Sequence, residues 1–260
     1  MTRDAAHRKD PSSPDPRSAP SAMSVVRGAG VVVVGPVLLD ALEVLGPLSA
    51  LGRWPQRVSD GRLRAVGRWL TLAGVVAPIV DHGLIRPWLR RWGSTPHERA
   101  RRLPGDADAR SLVTSTRAVT VHASADEVWR WLVQIGQDRG GFYSYDWLEN
   151  LAGCRLHSAE GVRQEWQHRE AGDPLFLFPG LATRLATVDP PHALVIEGWG
   201  SYVVEPVDTH TCRLLARAHA DRDAGGAVYL LLIELPHAIM ERRMLLGIKE
   251  RAERPSVAAE

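Results

Sequence analysis

The sequence predicts an α+β domain: a curved antiparallel sheet whose apolar face is covered by one long C-terminal helix. Three observations predict it. A strand followed by a tightly capped helix occupies the stretch Ser115 to Asn150. Strand-length segments separated by turns recur from Leu175 to Ala220. Helical periodicity then holds for 27 residues, Gly226 to Ala252, about 40 Å at 1.5 Å per residue. An antiparallel sheet needs its apolar face covered, and only this last element is long enough to lie across it.

In chain order, residues 1–22 are polar with four prolines and are expected to be a disordered tail. Residues 23–92 form an apolar helical segment. Gly28 to Leu39 and Trp69 to Val80 are uncharged runs of 12 residues each, against about 20 for a spanning helix. With Asp81 included, Trp69 to Ile85 makes 17 residues flanked by Arg68 and Arg86. Trp69 and Trp88 stand where interfacial aromatics would. This segment is either a helical hairpin packed on protein or a candidate membrane anchor. Residues 93–110 are charged and turn-rich and are expected to be a linker, although Thr95-Pro96-His97-Glu98 has the form of a capped short helix. The folded domain is expected over 111–254, with a tail at 255–260.

Inside that domain, Thr116 to Val121 alternates as a half-buried strand does. Ser124-Ala-Asp-Glu127 is a capping box, and Val128, Trp131, Leu132 and Ile135 share one helical face. Gly136 and Gly140-Gly141 supply the turn. Ser144 is placed to cap a second helix carrying Tyr145, Trp147, Leu148 and Leu151. After an irregular stretch come the strand segments near 175–178, 182–188, 193–198, 202–207 and 211–220. In the last helix Pro236 should produce a kink, because it lacks an N–H and crowds the preceding turn.

Composition excludes several classes. The formal net charge of +2 gives neither a basic nucleic-acid surface nor an acidic tail. Nine Trp against four Tyr and three Phe suit a large apolar interior or a membrane interface. Two cysteines, Cys154 and Cys212, make neither a disulfide framework nor a zinc site, which points to a reducing, cytoplasmic compartment. No nucleophile elbow, phosphate loop or dinucleotide fingerprint is present.

The run GGFYSYDWLENLAG, followed by LHSAE, EWQ, GDPLFL and the terminal MERRMLLGIKERAE, resembles the SRPBCC superfamily. Within it, the chain is similar to the polyketide cyclase/dehydrase and lipid-transport branch, over about Trp88 to Glu253. It departs from that branch at Gly161 to Gln164, where relatives have an apolar stretch. The resemblance implies a START-like helix-grip fold, in which sheet and closing helix bound a space for a hydrophobic small molecule, without cofactor. Alternatives are a cyclase or hydratase working in that space, and a structural domain on a membrane or partner.

The candidate ligand-binding residues are Tyr143, Tyr145, Trp147, Asn150, Glu165, Met240 and Met244. Aromatics with polar tips suit a pocket mouth, and thioethers suit an adaptable apolar wall; packing is the plainer role for each. Asp146, Glu149 and His157 are the weak catalytic candidates, since paired carboxylates and an imidazole can move protons. The carboxylates alternatively serve the helix dipole. His192, His219 and His237 are scattered without metal-ligand spacing.

Overall fold

The computed structural model describes residues 69, 72, 75–106, 111–151 and 153–254. The expected disordered tail, most of the N-terminal apolar segment, the end of the expected linker and the C-terminal tail lie outside the described residues. The fold expected from the sequence is found. Strands β1 (Ser111–Val121), β2 (Pro174–Phe178), β3 (Leu181–Asp189), β4 (Ala193–Ile196), β5 (Gly200–Asp208) and β6 (Thr211–Asp221) form one curved antiparallel sheet. Their order is β1-β6-β5-β4-β3-β2, so the meander β2 to β6 closes onto β1. The architecture is a helix-grip.

Ahead of the sheet, helical residues 75–80 run through a π-helical turn (Asp81–Ile85) into α1 (Arg86–Arg90). A short helix α2 (Pro96–Ala100) follows, with a complete capping box at Thr95 and Glu98. The stretch expected as a linker is, over residues 93–106, packed against the outer face of the sheet. Glu98 receives both the Nε and Nη2 groups of Arg213 at 2.8 and 2.9 Å. Arg217 donates to Asp106 at 2.8 Å, and Leu103 joins Ala118, Val203 and Leu215 in a small second core. Two of the charges in this stretch, Glu98 and Asp106, thus neutralise arginines of β6.

Between β1 and β2 lie α3 (Ala125–Leu132) and α4 (Asp146–Leu151). Ser124 Oγ accepts the Glu127 N–H at 3.2 Å. The expected return bond of the box is replaced. The Glu127 carboxylate instead accepts from Trp131 Nε1 at 3.2 Å and from Arg130 at 3.0 Å. Ser144 does not play its expected role at the start of α4: its hydroxyl donates to the Met240 carbonyl at 2.9 Å, tying the turn to the closing helix.

The closing element is not one helix. α5 (Ala224–Val228), a π-helical turn (Tyr229–Ile233) and α6 (Glu234–Ala252) follow one another, with a 71° bend at the break. The kink expected at Pro236 therefore sits one turn earlier. Proline crowds and cannot bond the carbonyl four residues back, at position 232. The core lies between α3, α6 and the sheet's inner face, with Leu132, Leu214, Leu245 and Ile248 fully buried. α6 meets the turn before α4 backbone to backbone. A Cβ built on Gly247 would stand 2.1 Å from the Tyr143 carbonyl oxygen. Gly247→Ala is therefore expected to push α6 off that turn at a cost of about 1–3 kcal/mol, measured as a lowered denaturation midpoint.

Candidate functional site

Strand register builds the site. Arg117 of β1 and Tyr202 of β5 both lie opposite Ala216 of β6, so all three share one row of the inner face. The next row is Ser115, Ala218 and Gly200. Small side chains thus stand beside Arg117, which is fully buried on the face that α6 covers.

The closing helix supplies the partner. Glu241 accepts a charge-assisted hydrogen bond from Arg117 Nη1. Its other oxygen lies 3.5 Å from the Tyr202 hydroxyl and 3.4 Å from His237 Nε2, one turn earlier on α6. His237 Nδ1 is 2.8 Å from the Tyr229 hydroxyl in the π-helical turn. The Trp199 ring meets His237 and Tyr229 edge-on at centroid distances of 4.8 and 6.0 Å. A polar line therefore runs from a half-buried aromatic group (Trp199, Tyr229, His237) to a buried group (Glu241, Tyr202, Arg117).

Electrostatics set the protonation states along this line. Burial pushes the Glu241 carboxyl up, but His237 and Arg117 outweigh it and bring it down to about 2. Burial and the Glu241 charge push the Tyr202 phenol well above its usual range. Glu241 is thus a carboxylate and Tyr202 a neutral donor. His237 bridges the two ends of the line, with Nε2 facing Glu241 and Nδ1 facing the Tyr229 hydroxyl. Arg117 gives Nε–H to the Leu89 carbonyl at 2.8 Å and Nη1 to Glu241, but its buried Nη2 finds no acceptor among the described residues. An orphaned buried donor costs about 1–3 kcal/mol.

The residues singled out from the sequence lie mostly elsewhere. Tyr143 is buried in the packed core, its hydroxyl accepting from Gln134 Nε2 at 2.7 Å and its ring lying under the Arg251 guanidinium. Tyr145 is half-buried and Trp147 exposed. The Asn150 amide bonds both backbone groups of Leu156, at 2.7 and 2.9 Å, and so holds the loop after α4. Glu165 is exposed, 3.6 Å from Arg163. Met244 is part of the core, and Met240 is half-buried beside Ser144.

Of the weak catalytic candidates, the fold brings two together. Asp146 lies 3.4 Å from His157 Nδ1 and accepts from the N–H and Oγ of Ser158 at 2.8 and 2.5 Å. The His157 side chain is 90% exposed. Glu149, one turn along α4 from Asp146, differs in burial. It is buried, neither carboxylate oxygen has a partner among the described residues, and burial followed by the Asp146 charge pushes its pKa up to about 7. The three differ in exposure: the His157 and Asp146 side chains are 90% and 24% exposed, whereas Glu149 is buried. Gln137, Asp138, Phe176, Pro179 and Gly180 border a depression of about 230 Å³ at the β2–β3 end. Among the described residues no three His, Cys, Asp or Glu side chains gather as a metal site.

Arg117, Tyr202, Tyr229, Glu241 and Trp199 were not singled out from the sequence. One signal was present: Arg117 alternates in register with Val119 and Val121, so it had to point to the apolar face. Nothing in the sequence marked the other four, which are 82 to 124 residues away in the chain.

No family model matches the chain, and no curated protein is similar to it. Two solution structures align with it at low similarity. A protein from Arthrobacter aurescens is 14% identical with a TM-score of 0.32, covering 60% of this chain and 94% of that one. A polyketide-cyclase-like protein from Corynebacterium glutamicum is 14% identical with a TM-score of 0.28, covering 52% and 88%. Scores this low carry no conclusion about this chain.

Proposed function

We propose that the domain binds a hydrophobic small molecule, lipid or polyketide-like, between the sheet and the closing helix, and that the molecule carries an acceptor oxygen. The observation that carries this reading is the buried, unaccepted Nη2 of Arg117 beside Ala216 and Ala218. A guanidinium donor left over inside an apolar grip suits a carboxylate or carbonyl oxygen. The half-buried aromatic group of Trp199, Tyr229 and His237 suits an apolar or ring-bearing body.

Native mass spectrometry of the purified full chain should reveal a co-purified small molecule. A fluorescent fatty acid and its methyl ester then serve as probes. The acid is expected to bind at micromolar concentration. Arg117→Lys, which keeps a charge for Glu241 but loses the second fork nitrogen, should weaken it at least tenfold. Ala218→Leu should weaken both probes by filling volume beside Arg117. Unchanged affinity in both variants would place binding elsewhere.

A further inference from the structure

The helical residues 75–90 present an apolar face that nothing in the described fold covers. Ile79 and Leu84 are 66% and 67% exposed, and Val76, Ile85 and Trp88 are exposed with them, as is Trp69 further back. Arg86 Nη1 donates to the Leu230 carbonyl at 2.5 Å, which brings the π-helical turn alongside. That turn adds the exposed Leu231 and Ile233.

The charges of this stretch are turned inward. Asp81 and Arg86, each with a side chain 4% exposed, pair at 2.6 Å. Arg90 meets the buried Glu234 at 2.5 Å. Every Asp, Glu, Lys and Arg between residues 75 and 90 is thereby held in an ion pair on the protein side. The outward surface is then mainly aliphatic, with the exposed His82 in its middle and Trp88 near its end. Residues 75–90 extend about 24 Å, short of the roughly 30 Å hydrocarbon core. No single helix among the described residues is long and apolar enough to cross a membrane.

We propose that this face docks the protein on a lipid bilayer, lying in the interface without crossing it. A protein partner calls for a polar rim around an apolar centre. This face carries Trp88 near its end, where a bilayer places interfacial aromatics, and Trp69 further back is exposed too. The sequence that precedes it includes the uncharged run Gly28 to Leu39, a second apolar stretch that can add buried area at the same interface. The docking does not depend on what occupies the Arg117 site.

The test is flotation of the full chain with phosphatidylcholine vesicles and with vesicles containing phosphatidylglycerol. Light scattering reads the oligomeric state. The chain is expected to float with both vesicle types and to stay bound in high salt. The double variant Ile79→Asp/Leu84→Asp should lower the bound fraction at least tenfold with an unchanged circular dichroism spectrum. Trp88→Gln reads the same face independently, with at least a threefold drop, should the double variant not fold. The proposal is overturned if the full chain floats with neither vesicle type or if both variants float as well as the parent. It also fails if the face instead holds a dimer that the double variant splits.

Discussion

Arg117→Met is expected to destabilise the protein by about 3–5 kcal/mol, the cost of leaving a buried carboxylate without its partner. Arg117 is fully buried and serves Glu241, the Leu89 carbonyl and Ser115. It thereby joins β1, α1 and α6. Removing it leaves Glu241 with His237 and the distant Tyr202 hydroxyl alone. The double variant Arg117→Met/Glu241→Met should recover most of the loss, since well-packed apolar side chains replace a buried pair at little cost. Urea denaturation of the single and double variants measures both. A single variant within 1 kcal/mol of the parent would show that the pair does not hold the closing helix.

The second large effect concerns Glu149 and pH. Its carboxyl is raised to about 7 in the folded protein, by burial and then by Asp146. In the unfolded chain it ionises near 4.3. Above that value the unfolded state binds fewer protons than the folded state, so stability falls as pH rises. The loss begins near pH 4.3, grows until about pH 7 and is constant beyond. Glu149→Gln removes the ionisation, and at pH 8 it is expected to raise stability by up to about 3 kcal/mol. At pH 4 it should change little. Denaturation midpoints from pH 4 to 8 read the difference, and a variant that tracks the parent across that range would mean that Glu149 is ionised in the fold. Glu241 acts in the opposite sense: its lowered carboxyl contributes stability that is lost as pH falls from about 4.5 towards 2.

The elements were legible because their signals are local. The alternation of β1, the Ser124 cap, the turn glycines and the meander spacing each reside within a few residues. The closing helix was legible in extent and in the presence of a kink. The kink's position follows the carbonyl that Pro236 crowds, not the proline itself. Ser144 is suited to a cap by its chemistry, yet bonds α6 because the tertiary fold brings the Met240 carbonyl within reach. Residues 93–110 looked like a solvated linker, since the partners of Glu98 and Asp106 are arginines more than a hundred residues later.

By itself the sequence determined the α+β class, the order of strands and helices, and the apolar character of the stretch before the domain. Periodicity, capping and turn chemistry act between near neighbours, so one chain suffices to read them. Only the tertiary structure decided which side chains form the site and which way charges point. Register across β1, β6 and β5 put Arg117 and Tyr202 in one row, and the bend before α6 placed His237 and Tyr229 over it. Asp81 read as an interruption of an apolar run and Arg86 as its flank until folding paired them on the inner side of the helix. Pairing energies of buried groups depend on distances between residues far apart in the chain, and those distances exist only once the sheet has closed.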